Sequence, residues 1–184
     1  MLHDYLWRVM LGSCFALALS GCKSSDVGAP CIPEEEYHDG FSGFSVDEVN
    51  FESRSFQCES RTCLVNHFQG RVSCPYGQSE AQGRDNPACL LPGGGEPVRA
   101  PVAPQVLARR ADEAVYCSCR CDGPDPNARY CECPSGFTCT QLVPGFASRD
   151  AELAGSYCIR EGSEYDRTRV LTEDACDRSL ANCE

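Results

Sequence analysis

This 184-residue chain holds one tryptophan and two methionines, and Met1, Trp7 and Met10 are all spent within the first ten residues. The remainder cannot build a Trp-lined carbohydrate platform. Histidine is also scarce, and beyond residue 21 only His38 and His67 remain for any role that needs imidazole. Each is read as an ordinary surface or half-buried side chain. Lys23 is the sole lysine, so ion pairs here are almost all guanidinium forks on carboxylates. No apolar run approaches the roughly 20 residues of a membrane-spanning helix. The longest, Val9 to Leu19, has eleven residues. There is no Gly-x-Ser-x-Gly elbow, His-Glu-x-x-His helix, phosphate-cradling Gly-x₄-Gly-Lys-[Ser/Thr], Gly-x-Gly-x-x-Gly or Cys-x-x-Cys. No catalytic residues and no cofactor are expected.

Strong core formers are few. Residues 22–184 contain 8 Leu, 2 Ile, 11 Val and 7 Phe among 163 positions, below the roughly 20% that usually sustains a packed interior. The chain carries 16 cysteines instead. Cross-links are expected to supply what a thin core lacks, in a small, disulfide-rich, mainly β fold of short antiparallel hairpins with at most one or two short helices.

The N-terminus reads as an export signal: a short start with basic Arg8, then the apolar run, then small residues. Leu19-Ser20-Gly21-Cys22 resembles the lipobox of bacterial lipoproteins. That resemblance implies cleavage after Gly21, a diacylglyceryl group on the Cys22 sulfur and an acyl chain on the freed amine, enough for stable anchoring. Cys14 belongs to the discarded stretch. Lys23, rather than Asp, after the anchor looks like an outer-membrane address, with the domain on the periplasmic or cell-surface face.

The chain divides into a signal (1–21), a lipid-anchored tether (22–30), a first Cys-rich segment (31–92), a Gly/Pro-rich linker or arm (93–113), a second Cys-rich segment (114–159) and a charged tail (160–184). In the first segment Val49 to Phe51, Cys63 to Phe68 and Arg71 to Cys74 are expected as strands of a small meander. Residues after Pro104 suit one or two helical turns before a strand entered at Val115. In the second segment Cys117, Cys119 and Cys121 alternate, so a single strand would put all three on one face, with Cys131 and Cys133 on a return strand. Thr172 is expected to cap a short tail helix, with Glu173 and Asp174 in its first turn. A helix running on to Cys183 would hold Cys176 and Cys183 about 10.5 Å apart, too far to bridge; either the helix stops earlier or each pairs elsewhere.

Fourteen cysteines follow Cys22, five in the first segment (Cys31, Cys58, Cys63, Cys74, Cys89), seven in the second (Cys117, Cys119, Cys121, Cys131, Cys133, Cys139, Cys158) and two in the tail (Cys176, Cys183). An oxidising compartment makes seven disulfides the simplest reading. Two odd groups cannot each close internally. If the tail closes on itself, a bridge must join the two segments; if it opens, it supplies one cysteine to each. The rival is a thiolate zinc or Cu(I) site between Cys117 and Cys139. Cys131-Glu-Cys133-Pro-Ser-Gly136-Phe137 resembles the second half of an epidermal-growth-factor-like module, departing from it where Cys139 follows after one residue. The run from Gly21 to Cys31, the run from Phe56 to Pro75 and the cluster from Tyr116 to Cys139 are together similar to uncharacterised cysteine-rich bacterial lipoproteins, a group that brings no activity with it.

The formal net charge of −11 argues against nucleic acid and anionic headgroups as partners of the surface as a whole. Glu34-Glu35-Glu36 and Asp47-Glu48 read as solvated acidic faces, and Asp122, Asp125, Asn127 and Glu132 as turn chemistry rather than a Ca²⁺ loop. The expected function is therefore non-enzymatic: a lipid-anchored cell-envelope protein, in contact with the membrane through Cys22 and with a possible protein or envelope-polymer partner. An alternative is an adhesion or inhibitor module presenting the loop from Asp122 to Arg129.

Overall fold

The computed structural model describes residues 26–79, 89–144, 153–172 and 174–183; the stretch read as an export signal and Cys22 lie outside them. Two three-stranded antiparallel sheets carry the fold. The first has the order β1 (Val49–Glu52), β2 (Thr62–Asn66), β3 (Val115–Ser118); the second is built of β4 (Arg120–Asp122), β5 (Phe137–Val143) and β6 (Gly155–Arg160), in the order β4-β6-β5. Among the described residues, two short helices, α1 (Ala111–Ala114) and α2 (Arg167–Thr172), and two single 3₁₀ turns accompany the sheets. This is the small disulfide-rich β fold that the composition implies.

The central strand β2 is buried on both faces. Cys63 and Val65 pack with Cys31, Cys58, Phe68, Val115 and Cys117, while Leu64 points the other way to Tyr116 and Ile159. The second set joins the sheets: Phe51 lies on Tyr157 with ring centroids 4.4 Å apart, and Tyr116 meets Phe137 edge-on at 5.7 Å. The chain changes sheets within one residue, Cys119, between β3 and β4. Ser118 Oγ donates to the Cys158 carbonyl at 2.8 Å and the Arg160 N–H donates to Tyr116 Oη at 3.0 Å, pinning the crossing.

Three local expectations are corrected. Arg71 to Cys74 is a tight turn, and β3 is the third strand of the first sheet. The Val72 and Ser73 N–H groups donate to the Glu36 carboxylate and the Arg71 carbonyl accepts from Gln105 Nε2, so these three groups are taken by side chains and not by a ladder. Cys117, Cys119 and Cys121 do not share a face, because the sheet change at Cys119 separates them; Cys131 and Cys133 lie outside any strand, and β6 takes the place beside β4 that they were expected to fill. The tail helix is capped by Asp166, whose Oδ1 accepts the N–H groups of Thr168 and Arg169, and Thr172 ends it.

The segment divisions at 92/93, 113/114 and 159/160 fall inside structure: a hairpin turn, α1 and β6. The Val98 N–H donates to the Cys89 carbonyl, closing a turn over Gly93, Gly94 and Gly95. Beyond it Val98, Ala100 and Val102 alternate inward onto Cys74 and Cys89, and the buried Gln78 amide donates to the carbonyls of Val98 and Ala100. The arm is thus strapped to the first segment. It passes so close to Gly70, at φ 85°, that a Cβ there would collide with the Ala103 carbonyl.

Candidate functional site

All fourteen cysteines from Cys31 onward are paired: Cys31–Cys63, Cys58–Cys117, Cys74–Cys89, Cys119–Cys131, Cys121–Cys139, Cys133–Cys158 and Cys176–Cys183. The tail closes on itself because α2 ends at Thr172, before either cysteine. Cys58–Cys117 is then the bridge between segments that parity demands. Sulfurs converge in three groups, Cys31/Cys58/Cys117, Cys119/Cys131/Cys158 and Cys121/Cys133/Cys139, each within 4.8 Å. Bridges packed side by side explain the convergence, and a sulfur held in a disulfide has no thiolate to offer a cation.

The acidic residues go different ways. Glu36 is fully buried, not part of a solvated face, while Glu34 and Glu35 stay exposed. Its partner Arg71, equally buried, donates to the carbonyls of Glu36, His38 and Phe41. Asp47 accepts from Tyr165 Oη and pairs with Arg167 at 3.4 Å. In the loop from Asp122 to Arg129, Asp122 Oδ1 accepts the Gly123 N–H and Asp125 Oδ1 that of Asn127, while Tyr130 Oη donates to the Asp125 carbonyl. Those carboxylates hold turns, as their spacing suggested.

A second buried guanidinium went unnoticed in the sequence. Arg109 donates from Nε to the His67 carbonyl at 2.8 Å, from Nη1 to Ser163 at 2.9 Å and from Nη2 to the Asn66 carbonyl. It lines a cleft of about 420 Å³ together with Glu113, Arg160, Glu164 and Arg169. Nothing in the local pattern separates Arg109 from Arg110. Only the meeting of the β2 end, the turn Leu107–Arg109 and the loop before α2 creates three convergent carbonyls.

His67 sits at that junction with φ 52°, its Nδ1 donating to the Val46 carbonyl at 2.9 Å and its ring stacked on Tyr165 at 3.7 Å. Burial, helped by the Arg109 charge, holds its pKa below the ordinary 6.5, against the opposing pull of the Val46 carbonyl. In this range the unfolded chain binds the proton first, so stability falls as pH drops below 6.5 toward the folded value. The expected outcome is a Tm that declines over this window in the native protein and declines less in His67→Asn, a residue that tolerates positive φ. Equal slopes in paired thermal melts would sink it.

The N-terminal end of the described chain is docked rather than loose. The Gly28 N–H donates to the Cys117 carbonyl, the Cys117 N–H donates to Ala29, and Pro30 bridges to Tyr116. The chain is therefore fixed from Asp26, and four residues separate that point from Cys22 inclusive. Beside this exit lies the 53–61 loop between β1 and β2. The Asp26 carboxylate accepts the Glu59 N–H, and the Gln57 side chain both accepts from and donates to the Ile32 backbone. Cys58–Cys117 ties the loop to β3. At its tip Phe56 is 87% exposed, with the Arg61 guanidinium over its ring at 4.3 Å. Comparison with protein-family models, with curated proteins and with solved structures gave no match to this chain.

Proposed function

We propose that this protein is exported, cut before Cys22, acylated there and held in the outer membrane, where its disulfide-stapled domain works by binding and not by catalysis. The observation that carries the reading is the complete pairing of the fourteen cysteines after Cys22, a state sustained in an oxidising compartment. The lipobox resemblance supplies the anchor. Glu36, Arg71 and Arg109, the most buried charged groups among the described residues, spend their hydrogen bonds on backbone groups, which is how a scaffold uses charge.

The test is the intact mass of the protein purified from membranes, before and after reduction and alkylation, with metal analysis of the same sample. Alkylation of fourteen thiols only after reduction, an acylated Cys22 and no zinc or copper are expected. Thiols open before reduction with bound metal, or an N-terminus without acyl groups, would overturn the reading.

A further inference from the structure

We propose that the 53–61 loop is a membrane contact: Phe56 enters the headgroup–acyl boundary of the bilayer that holds the lipid on Cys22, with Arg54 and Arg61 at the phosphates. The inference rests on acylation of Cys22, and three observations support it. The first is reach. Chain from Cys22 to Asp26 spans at most about 14 Å, and Asp26 is where the fixed structure begins. An acylated Cys22 therefore keeps the Asp26 end of the domain close to the lipid surface.

The second is what stands at that end. Asp26 is hydrogen-bonded to Glu59, and Gln57 to Ile32, so the exit of the anchor and the loop are one rigid feature. The loop does not yield, because Ser55 and Cys58 are buried, the Ser55 N–H donates to the Arg61 carbonyl and the Arg61 N–H to that of Cys58. A rigid loop inserts an aromatic ring without ordering itself first.

The third is chemistry. Phe56 is the most exposed large apolar side chain among the described residues, and aromatic rings flanked by arginine suit the bilayer interface, where the ring meets acyl chain and the guanidinium meets phosphate. Glu52 lies beside Glu34 and Glu35 at the base of the loop, so the contact depends on the ring and its two arginines, not on net charge. A zwitterionic surface is enough for it.

The chain beyond residue 21 has no tryptophan, so Phe56→Trp creates a single reporter. The full chain is expressed with its signal, purified in acylated form and reconstituted in zwitterionic phosphatidylethanolamine–phosphatidylcholine vesicles with and without brominated acyl chains. The expected result is a blue-shifted emission, quenched by bromine and sheltered from iodide. A Leu180→Trp control in the tail, which packs on the arm through Cys176 and Gln105, stays accessible to iodide. Emission at position 56 that remains open to iodide in floated, acylated protein overturns the contact and leaves the anchor standing. Equal burial at position 180 also overturns it, since the domain then adsorbs without orientation. A mass showing Cys22 unmodified overturns the anchor and the contact together.

Discussion

Replacing Cys58 and Cys117 together by alanine is expected to cost about 4 kcal/mol of stability, because the bridge closes a loop of several tens of residues in the unfolded chain. Its sequence separation is 59, the largest of the seven. The Cys74–Cys89 bridge shortens the effective loop, but the logarithm makes that correction small. Both sulfurs are buried against Val65 and Phe68, so their removal also leaves a small cavity. The matching removal of Cys176 and Cys183, separated by 7 residues, is expected to cost about 2.5 kcal/mol. Urea unfolding of the two double variants checks the order. Equal losses, or a larger loss from the tail pair, would mean that native packing and not chain entropy sets the contribution of these bridges. The first variant also releases the 53–61 loop from β3, and so loosens the seat of Phe56.

Arg71→Met is expected to destabilise the protein by about 3–5 kcal/mol, the usual result of removing one partner from a buried ion pair. Three carbonyls, of Glu36, His38 and Phe41, lose their donor. Glu36 is left buried with only the Val72 and Ser73 N–H groups, at 2.6 and 3.0 Å. Burial already pushes its carboxyl above the ordinary carboxylate value, against the pull of those two N–H groups and Arg71. In many proteins a buried pair is replaced by apolar residues at little cost. Here the double variant Arg71→Met/Glu36→Leu is expected to remain strongly destabilised, since the orphaned N–H and carbonyl groups each cost about 1–3 kcal/mol. Full recovery in the double variant would show that the pair acts on itself alone and not as a backbone clamp.

Much of the fold was legible. The β-prone runs at Val49 and Cys63 became β1 and β2, the strand entered at Val115 became β3, and the short helical turns expected after Pro104 formed at Leu107–Arg109 and Ala111–Ala114. Local chemistry decides such elements. The arm was half legible: Pro and Gly marked it as irregular, yet the alternation of Val98, Ala100 and Val102 was the signature of a strap with one buried face. The missed elements share a cause. Arg71 to Cys74 has strand composition, but a carboxylate 36 residues earlier and a glutamine 34 residues later take its hydrogen bonds. Thr172 has capping chemistry, but Asp166 starts the helix earlier, and Val170 is drawn into the cluster with Val46 and Val106.

The same division runs through the functional readings. The resemblance to a lipobox, the scarcity of core residues and the even set of cysteines are local or countable, so the expectation of export and that of a disulfide scaffold both arise from sequence alone, and the seven bridges bear out the scaffold. Parity even required one bridge between the two segments once the tail closed on itself. Which cysteine made that bridge was settled only in three dimensions, because a disulfide needs Cα atoms within about 7 Å, a distance set by sheet pairing across long stretches of chain. The burial of Glu36, Arg71 and Arg109, and the placing of Phe56 beside the exit at Asp26, were likewise decided by tertiary structure: each depends on backbone groups brought together from segments that the sequence keeps tens of residues apart.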